Sequence, residues 1–305
     1  MLRHFKKGSG SFLFLCAAAA VIAVLGACSS QPEFSGTGTD SRFVREYVRN
    51  GIIPEIWEWQ SVQSGVDYAY FRNDSLPVRW HLVRIDLRTP GLELVSYPHE
   101  RHFSQNGTFA GQTVQQFAAD TDALVAVNAT PFSYAPTRFG SRRKLTGLYA
   151  VEGVQLSEPI EKYAALLLIR TEGRLEACVL PHQTETLPER TEYAFGGFFA
   201  ILSDSRIREF AYHSLDSRTA AGVSADKSVL YLLCVEGERK RSSRGLTYEE
   251  CAYLLRAAGA ADAMQLDGGG SAAIAISGIK TMSYPVKRHS ANIFGFKVTF
   301  PQNSD

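Results

Sequence analysis

The chain lacks an excess of charge of either sign: 32 Lys and Arg stand against 31 Asp and Glu in 305 residues. Phosphate backbones are held by clustered Lys and Arg, so this balance argues against a nucleic-acid partner. Cysteine is scarce, and its five residues include two, Cys16 and Cys28, close to the N-terminus. The other three, Cys178, Cys234 and Cys251, are an odd number. An exported chain could pair two of them, but spacing does not say which. Cys178 and Cys234 lie in strand-like apolar runs, so buried free thiols are the expectation. No Cys or His spacing of the metal-binding kind occurs. There is no internal repeat, and no second tether interrupts the chain after the N-terminal one.

Long apolar runs are also missing, apart from one at the N-terminus. Arg3, Lys6 and Lys7 precede an uncharged apolar stretch from Ser11 to Leu25. A membrane-spanning helix needs about 20 apolar residues, so this run is short for an anchor and fits a secretory signal. It ends in Leu25-Gly26-Ala27-Cys28, which looks like a bacterial lipobox. By that likeness residues 1–27 are a signal peptide and Cys28 is the lipidated first residue of an exported, membrane-anchored lipoprotein. Removing Arg3, Lys6 and Lys7 leaves 29 basic residues against 31 acidic ones. Residues 28–42 are small and polar and cannot repay their ordering entropy, so they read as a tether. Residues 43–305, about 260, form one expected domain.

That domain reads mostly as strands. Val78 to Tyr97 alternates through two runs joined by Thr89-Pro90-Gly91, which predicts a hairpin. Tyr163 to Leu180 repeats the pattern around Glu172-Gly173. Val229 to Val235 is a continuous apolar run, as in a central strand covered on both faces. A last strand is expected from Ile293 to Phe300. Two helices stand out. One covers Gln112 to Ala119 with Val114 and Phe117 on one face. The other starts at a capping box, Thr247 with Glu250 three residues on, and stops near Gly259. The expected class is α+β, a mixed or antiparallel sheet with a few packed helices.

The chemistry is concentrated between Ser217 and Asn292. A buried-looking strand delivers Asp267 into Gly268-Gly269-Gly270-Ser271. Glycines there remove Cβ atoms, so backbone N–H groups can approach a ligand. No Lys follows the glycines, which excludes a P-loop, and no G-x-G-x-x-G opens a helix, which excludes a dinucleotide fingerprint. Alone, Asp-Gly-Gly-Gly is most often a tight bend. Arg218 could pair with Asp216 or Glu236, and Arg288 could be part of a solvated basic turn. Glu250 is accounted for by its cap. The aromatics Trp57, Trp59, Phe132 and Tyr134 could shape a sugar site, with core packing as the default.

In combination, Arg218-Thr219-Ala220-Ala221-Gly222-Val223, then Gly245-Leu246-Thr247 with Glu250 and Ala252, then Leu266-Asp267-Gly268-Gly269-Gly270-Ser271, resemble the phosphodiester glycosidase family. Its type is the N-acetylglucosamine-1-phosphodiester α-N-acetylglucosaminidase. The likeness is strongest over residues 217–298 and weaker at Gly65-Val66, near Asp86 and at Asn128. It implies hydrolysis of a sugar-1-phosphodiester at the anomeric C–O bond, on a cell-envelope glycan or glycoconjugate. On that likeness Asp267 is the main catalytic carboxylate and Glu236 its partner. Arg218, Thr219, Asn128, Gly268, Gly269, Gly270, Ser271 and Arg288 are the expected substrate contacts. No cofactor is implied; a divalent cation near Asp267 is allowed but not demanded. Two departures from the family pattern stand out. Asn-Gly-Gly-Phe-Phe is replaced by Asn128-Ala129-Thr130-Pro131-Phe132, and Asp-Gly by Glu236-Gly237. Both leave open a second reading, a lipid-anchored binder of envelope glycans without catalysis. Cleavage of the P–O bond is a third, disfavoured because no carboxylate cluster for metal ions is found.

Overall fold

The computed structural model describes residues 51–137, 140–211 and 213–299. The expected signal segment, Cys28, the tether, the start of the folded part and Phe300 lie outside them. The described residues belong to one compact unit, Gly36–Asp305. Eight strands form the largest sheet: β1 (Gln60–Gln63), β2 (Val66–Asn73), β3 (Val78–Asp86), β13 (Ala200–Ser203), β14 (Arg206–Ile207), β15 (Arg218–Val223), β16 (Val229–Val235) and β17 (Asp262–Gln265). Their spatial order is β1-β2-β3-β16-β15-β17-β13-β14. A second sheet runs β11 (Arg174–Leu180), β10 (Ala165–Thr171), β12 (Thr191–Gly196), β8 (Tyr149–Val151), β9 (Val154–Ser157). A third runs β18 (Ile274–Ile276), β5 (Val125–Asn128), β19 (Ile293–Val298), β4 (Leu92–Tyr97), and β6 (Phe132–Thr137) pairs with β7 (Gly140–Leu145).

Every strand pair is antiparallel. The only α-helices among the described residues are α1 (Val114–Thr121) and α2 (Tyr248–Ala258). The expected α+β class therefore fits only loosely, and the fold is β-rich. β16 shows why the sequence commits to sheet. Leu230, Leu232 and Cys234 enter the main core, while Tyr231, Leu233 and Val235 enter a second core on the opposite face. A strand buried on both faces needs apolar residues at every position. The main core brings together residues of all three large sheets, among them Val83, Leu166, Phe195, Leu232 and Phe294. The second core seats α2 on the big sheet through Cys251, Leu254 and Leu255.

Local signals hold where local physics decides. Glu172 and Gly173 take left-handed angles, φ 51 and 79, and close the β10–β11 hairpin. Thr247 and Glu250 form the capping box that starts α2, and Gly259 ends it at φ 115. α1 begins two residues later than its apolar spacing suggests, because Thr113 caps it in a box with Gln116. The hairpin expected over Val78 to Tyr97 does not exist. β3 pairs with β2 and β16, whereas β4 pairs with β19 in another sheet. The Thr89-Pro90-Gly91 turn carries the chain from one sheet to the next: Gly91 has φ 74 and its carbonyl accepts from Thr299 N. Turn chemistry fixes a reversal but not the partner. All three remaining cysteines are free, with Cys234 and Cys251 buried and Cys178 half-buried. No described helix is long and apolar enough to cross a membrane.

Candidate active site

β17 ends beside β15, and Leu266 N continues the pairing by donating to Thr219 O at 2.9 Å. The next residue, Asp267, leaves the sheet. Its N–H donates to Ala129 O at 2.8 Å, and its carbonyl accepts Asn128 Nδ2 at 2.6 Å. Three sheet-derived segments thus pin one carboxylate-bearing residue. A short turn over Gly269–Ser271 follows, anchored by Gly269 N donating to Ser217 O at 2.9 Å. Gly269 takes the left-handed region at φ 55, which favours glycine, and a Cβ on Gly270 would stand 2.8 Å from an Arg288 guanidinium nitrogen, so a side chain there would displace the Arg288 head.

Arg288 lies across this turn. Its Nη1 reaches Ser271 Oγ at 3.5 Å, and its charge acts on Asp267. Burial raises the Asp267 carboxyl to about 6, and the Ser271 hydroxyl, the Arg288 charge and the Gly268 N–H pull in the opposite direction without cancelling it. Desolvation is the dominant influence, since removing water penalises the charged form. The result is a carboxylate that changes charge near neutrality, next to a cation and a glycine turn whose residues are all partly exposed.

The residues expected to touch substrate fall into two groups. Asp267, Gly268, Gly269, Gly270 and Arg288 reach solvent, while Ser271 is 1% exposed behind them. Asn128, Thr219, Arg218 and Glu236 are buried, and each is engaged by protein partners. Asn128 is fully buried: its Oδ1 accepts Thr219 Oγ1 at 2.7 Å and Ala273 N at 3.0 Å, and its Nδ2 holds Asp267. Asn128 and Thr219, both fully buried, form the bracket under the carboxylate. Arg218 pairs with neither Asp216 nor Glu236. Its Nε donates to Leu246 O at 3.0 Å, its Nη2 to Ser214 O at 2.7 Å, and its guanidinium lies 4.3 Å from the Tyr248 ring centre. With 7% exposure it braces the backbone beside Gly268 rather than gripping phosphate.

Glu236 is 1% exposed, and both its oxygens are taken by His81 and Ser283. Burial pushes its carboxyl up, but the hydrogen bonds from His81 and Ser283 outweigh that and leave it below the ordinary value. It is not placed to exchange a proton with substrate. His81 and Ser283 were not singled out by the sequence, where neither has a motif. Of the other aromatics, Trp57 and Trp59 stack on each other at 5.6 Å against the second core, and Phe132 meets Tyr134 edge-on. Tyr134 is 51% exposed, so core packing does not hold for it. The departure at Ala129 is absorbed: it is fully buried, does not take a positive φ, and its N–H donates to Asn292 O at 3.0 Å. Among the described residues no three His, Cys, Asp or Glu side chains converge as a metal cage. A cavity of about 880 Å³ lies instead beside α1, lined by Ala118, Ala123, Ile276, Met282 and Val286. Neither Asp267 nor Arg288 lines it.

The bracket makes a stability prediction. Asn128→Ala leaves Thr219 Oγ1, Ala273 N and Asp267 O without their partner in a dry site. Unsatisfied buried groups cost about 1–3 kcal/mol each, so a loss on the order of 3 kcal/mol is expected in chemical denaturation. A change within about 0.5 kcal/mol, the range of a surface substitution, would remove Asn128 from this role.

The family model for phosphodiester glycosidases matches residues 121–297, more than half of the chain. No curated protein matches it. Solved structures share the fold. The catalytic domain of zebrafish N-acetylglucosamine-1-phosphodiester alpha-N-acetylglucosaminidase, auto-inhibited by its pro-peptide, is 20% identical with a TM-score of 0.56; the match covers 83% of this chain and 92% of that one. A putative exported protein from Burkholderia pseudomallei is 15% identical with a TM-score of 0.54, over 72% of this chain and 74% of that one. A hypothetical protein from Synechocystis is also 15% identical with a TM-score of 0.54, over 80% of this chain but only 64% of that one, so this chain spans less than two thirds of it.

Proposed function

The chain belongs to the phosphodiester glycosidase family, and on that premise we propose that it hydrolyses a sugar-1-phosphodiester at the anomeric C–O bond. The single observation that carries this reading is Asp267, a carboxyl brought to about 6 by burial and set against Arg288 on a glycine turn. A phosphodiester leaves as a stable anion, so protonation of the leaving oxygen matters less than in ordinary glycosides. The remaining tasks are to activate water, stabilise an oxocarbenium-like sugar and hold phosphate. Ionised Asp267 takes the proton of the attacking water as oxygen bonds to C1. The C1–O bond breaks, and the leaving oxygen keeps the electron pair as part of a phosphate monoester. Arg288, with a planar fork of donors, faces the phosphate charge. The Gly268–Gly270 turn lets the ligand approach the backbone.

The proposed substrate is an α-N-acetylglucosaminyl phosphodiester within a cell-envelope glycan or glycoconjugate. Cys28 carries the lipid that keeps the exported chain at a membrane surface, with residues 28–42 as its tether and residues 43–305 as one catalytic domain. The test uses the full chain in detergent with an α-linked N-acetylglucosamine-1-phosphodiester in ¹⁸O-water. Free sugar carrying ¹⁸O at C1 is the expected product. Label appearing in phosphate would replace C–O by P–O cleavage. Tight binding of the phosphodiester without any release would assign the fold to glycan binding.

A further inference from the structure

Residues 280–289, between β18 and β19, bring Arg288 to the site, yet among the described residues they make no backbone–backbone hydrogen bond. Side chains must therefore fix their course. Thr281 Oγ1 donates to Ile274 O at 2.7 Å, Met282 Sδ meets Cys234 Sγ at 3.9 Å, and Tyr284 lies under the Arg239 guanidinium at 5.4 Å. Next to Arg288, the His289 carbonyl accepts Arg143 Nε at 3.2 Å and the His289 Nδ1 meets Gly111 O at 3.1 Å, and at the other end Ser283 makes two bonds to one buried carboxylate. Its N–H donates to Glu236 Oε1 at 2.9 Å, and its hydroxyl donates to Oε2.

Glu236 is itself held from behind. It follows β16, where Cys234 stands opposite His81 of β3, and His81 Nε2 meets Glu236 Oε1 at 3.1 Å. The other ring nitrogen, Nδ1, meets Tyr68 Oη at 2.8 Å, and the Tyr70 ring stacks on the imidazole with centres 5.1 Å apart. His81 and Glu236 are each 1% exposed and Tyr68 is 6% exposed. Burial holds the Tyr68 phenol well above its usual range, so its O–H stays protonated and can donate to Nδ1. With Tyr68 donating to Nδ1, the ring proton that faces Glu236 is on Nε2, an assignment that follows from the network. A carboxylate this deep persists only where donors surround it, and here the donors come from His81 of β3 on one side and from Ser283 on the other.

We infer that His81 is a positioning residue: held by Tyr68, it orients Glu236, which clamps Ser283 and so sets Arg288 over Gly270 and Ser271. The inference rests on the reading of Asp267 and Arg288 as the reaction site.

Three variants of the full chain test this: Ser283→Ala, His81→Phe and His81→Gln, which restores a donor toward Glu236. Hydrogen exchange at the residue 283 amide, the one in this stretch that donates to Glu236, is expected to speed up in Ser283→Ala and His81→Phe and to return toward the parent rate in His81→Gln. In turnover of the phosphodiester, kcat/KM is expected to fall about 10- to 100-fold, as for an ångström-scale misplacement. Its pH midpoint should move upward, because Arg288 no longer faces Asp267. Ser283→Ala combined with Arg288→Ala is expected to match Arg288→Ala alone, since both remove one contact. Unchanged exchange in Ser283→Ala and His81→Phe, or losses that multiply in the double variant, would overturn the clamp. If the parent chain releases no sugar, the proposed activity fails, while the exchange experiment still decides the clamp.

Discussion

Asp267→Asn is expected to abolish sugar release while raising the unfolding temperature. Losing a positioned acid–base group costs on the order of 10²–10⁴ in rate. The stability effect has the opposite sign to that of most buried substitutions. The folded carboxyl titrates at about 6 against an ordinary 3.8, so the folded protein holds this proton more tightly than the unfolded chain does. Stability is therefore highest below the unfolded value and declines as pH rises through about 6, because the charged form is poorly solvated in the fold. The rise of about 2 units corresponds to on the order of 3 kcal/mol at neutral pH. Asparagine keeps the shape and an oxygen for Ser271 but has no charge to desolvate. A gain of several degrees at pH 7.5, vanishing near pH 4, is the signature to seek by calorimetry. An equal gain at both pH values would separate the stability change from the ionisation. Normal turnover in this variant would remove Asp267 from the reaction.

Arg288→Ala is expected to have the second largest effect, and on two axes. In the parent chain kcat/KM should rise with pH through about 6 and level off, because the ionised Asp267 is the reactive form. Arg288 lowers the Asp267 value, so its removal moves that midpoint higher and leaves less carboxylate at pH 7. The phosphate also loses its charge-assisted donors, each such bond being worth about 1.5–3 kcal/mol. Together these give a fall on the order of 10²–10³ in kcat/KM at pH 7, carried in part by KM. Arg288→Lys should return the midpoint but not the full KM, since an ammonium supplies charge without the fork. A fall with no shift of the midpoint would place Arg288 too far from Asp267 to act on it. A profile that declines above pH 6 would recast Asp267 as a proton donor.

What the sequence could show follows from how locally each feature is decided. The β10–β11 hairpin, the double-faced strand β16 and the cap of α2 depend on residues a few positions apart, and all three appear as read. The partner of β4 is about 200 residues away in β19, and no local pattern encodes that distance. The same division runs through the site. Asp-Gly-Gly-Gly-Ser marked the exposed turn because its glycines are unusual in number. Asn128, Thr219 and Arg218 read as substrate contacts and Glu236 as the partner carboxylate of Asp267, although each begins or ends an apolar run such as Val125-Ala126-Val127-Asn128. A polar residue at the lip of a buried strand is more readily a hydrogen-bond hub than a ligand contact, and the apolar neighbours were the available signal. His81 sits inside such a run, Trp80 to Val83, where an imidazole needs buried partners on both nitrogens. That requirement was legible; the identity of the partners was not.

The place of β19 between β4 and β5 has a consequence for biogenesis. A nascent chain emerging N-terminus first presents β4 about 200 residues, and β5 more than 160 residues, before the strand that joins them. Until Ile293–Val298 arrives, both have open edges and the phenylalanines Phe294 and Phe296 are missing from the main core. The carboxylate bracket is incomplete as well, because Ala129 and Thr130 wait for Asn292. The surroundings of Asp267 therefore close only after β19 has been made and has docked, so their order depends on a strand far along the chain rather than on the local turn.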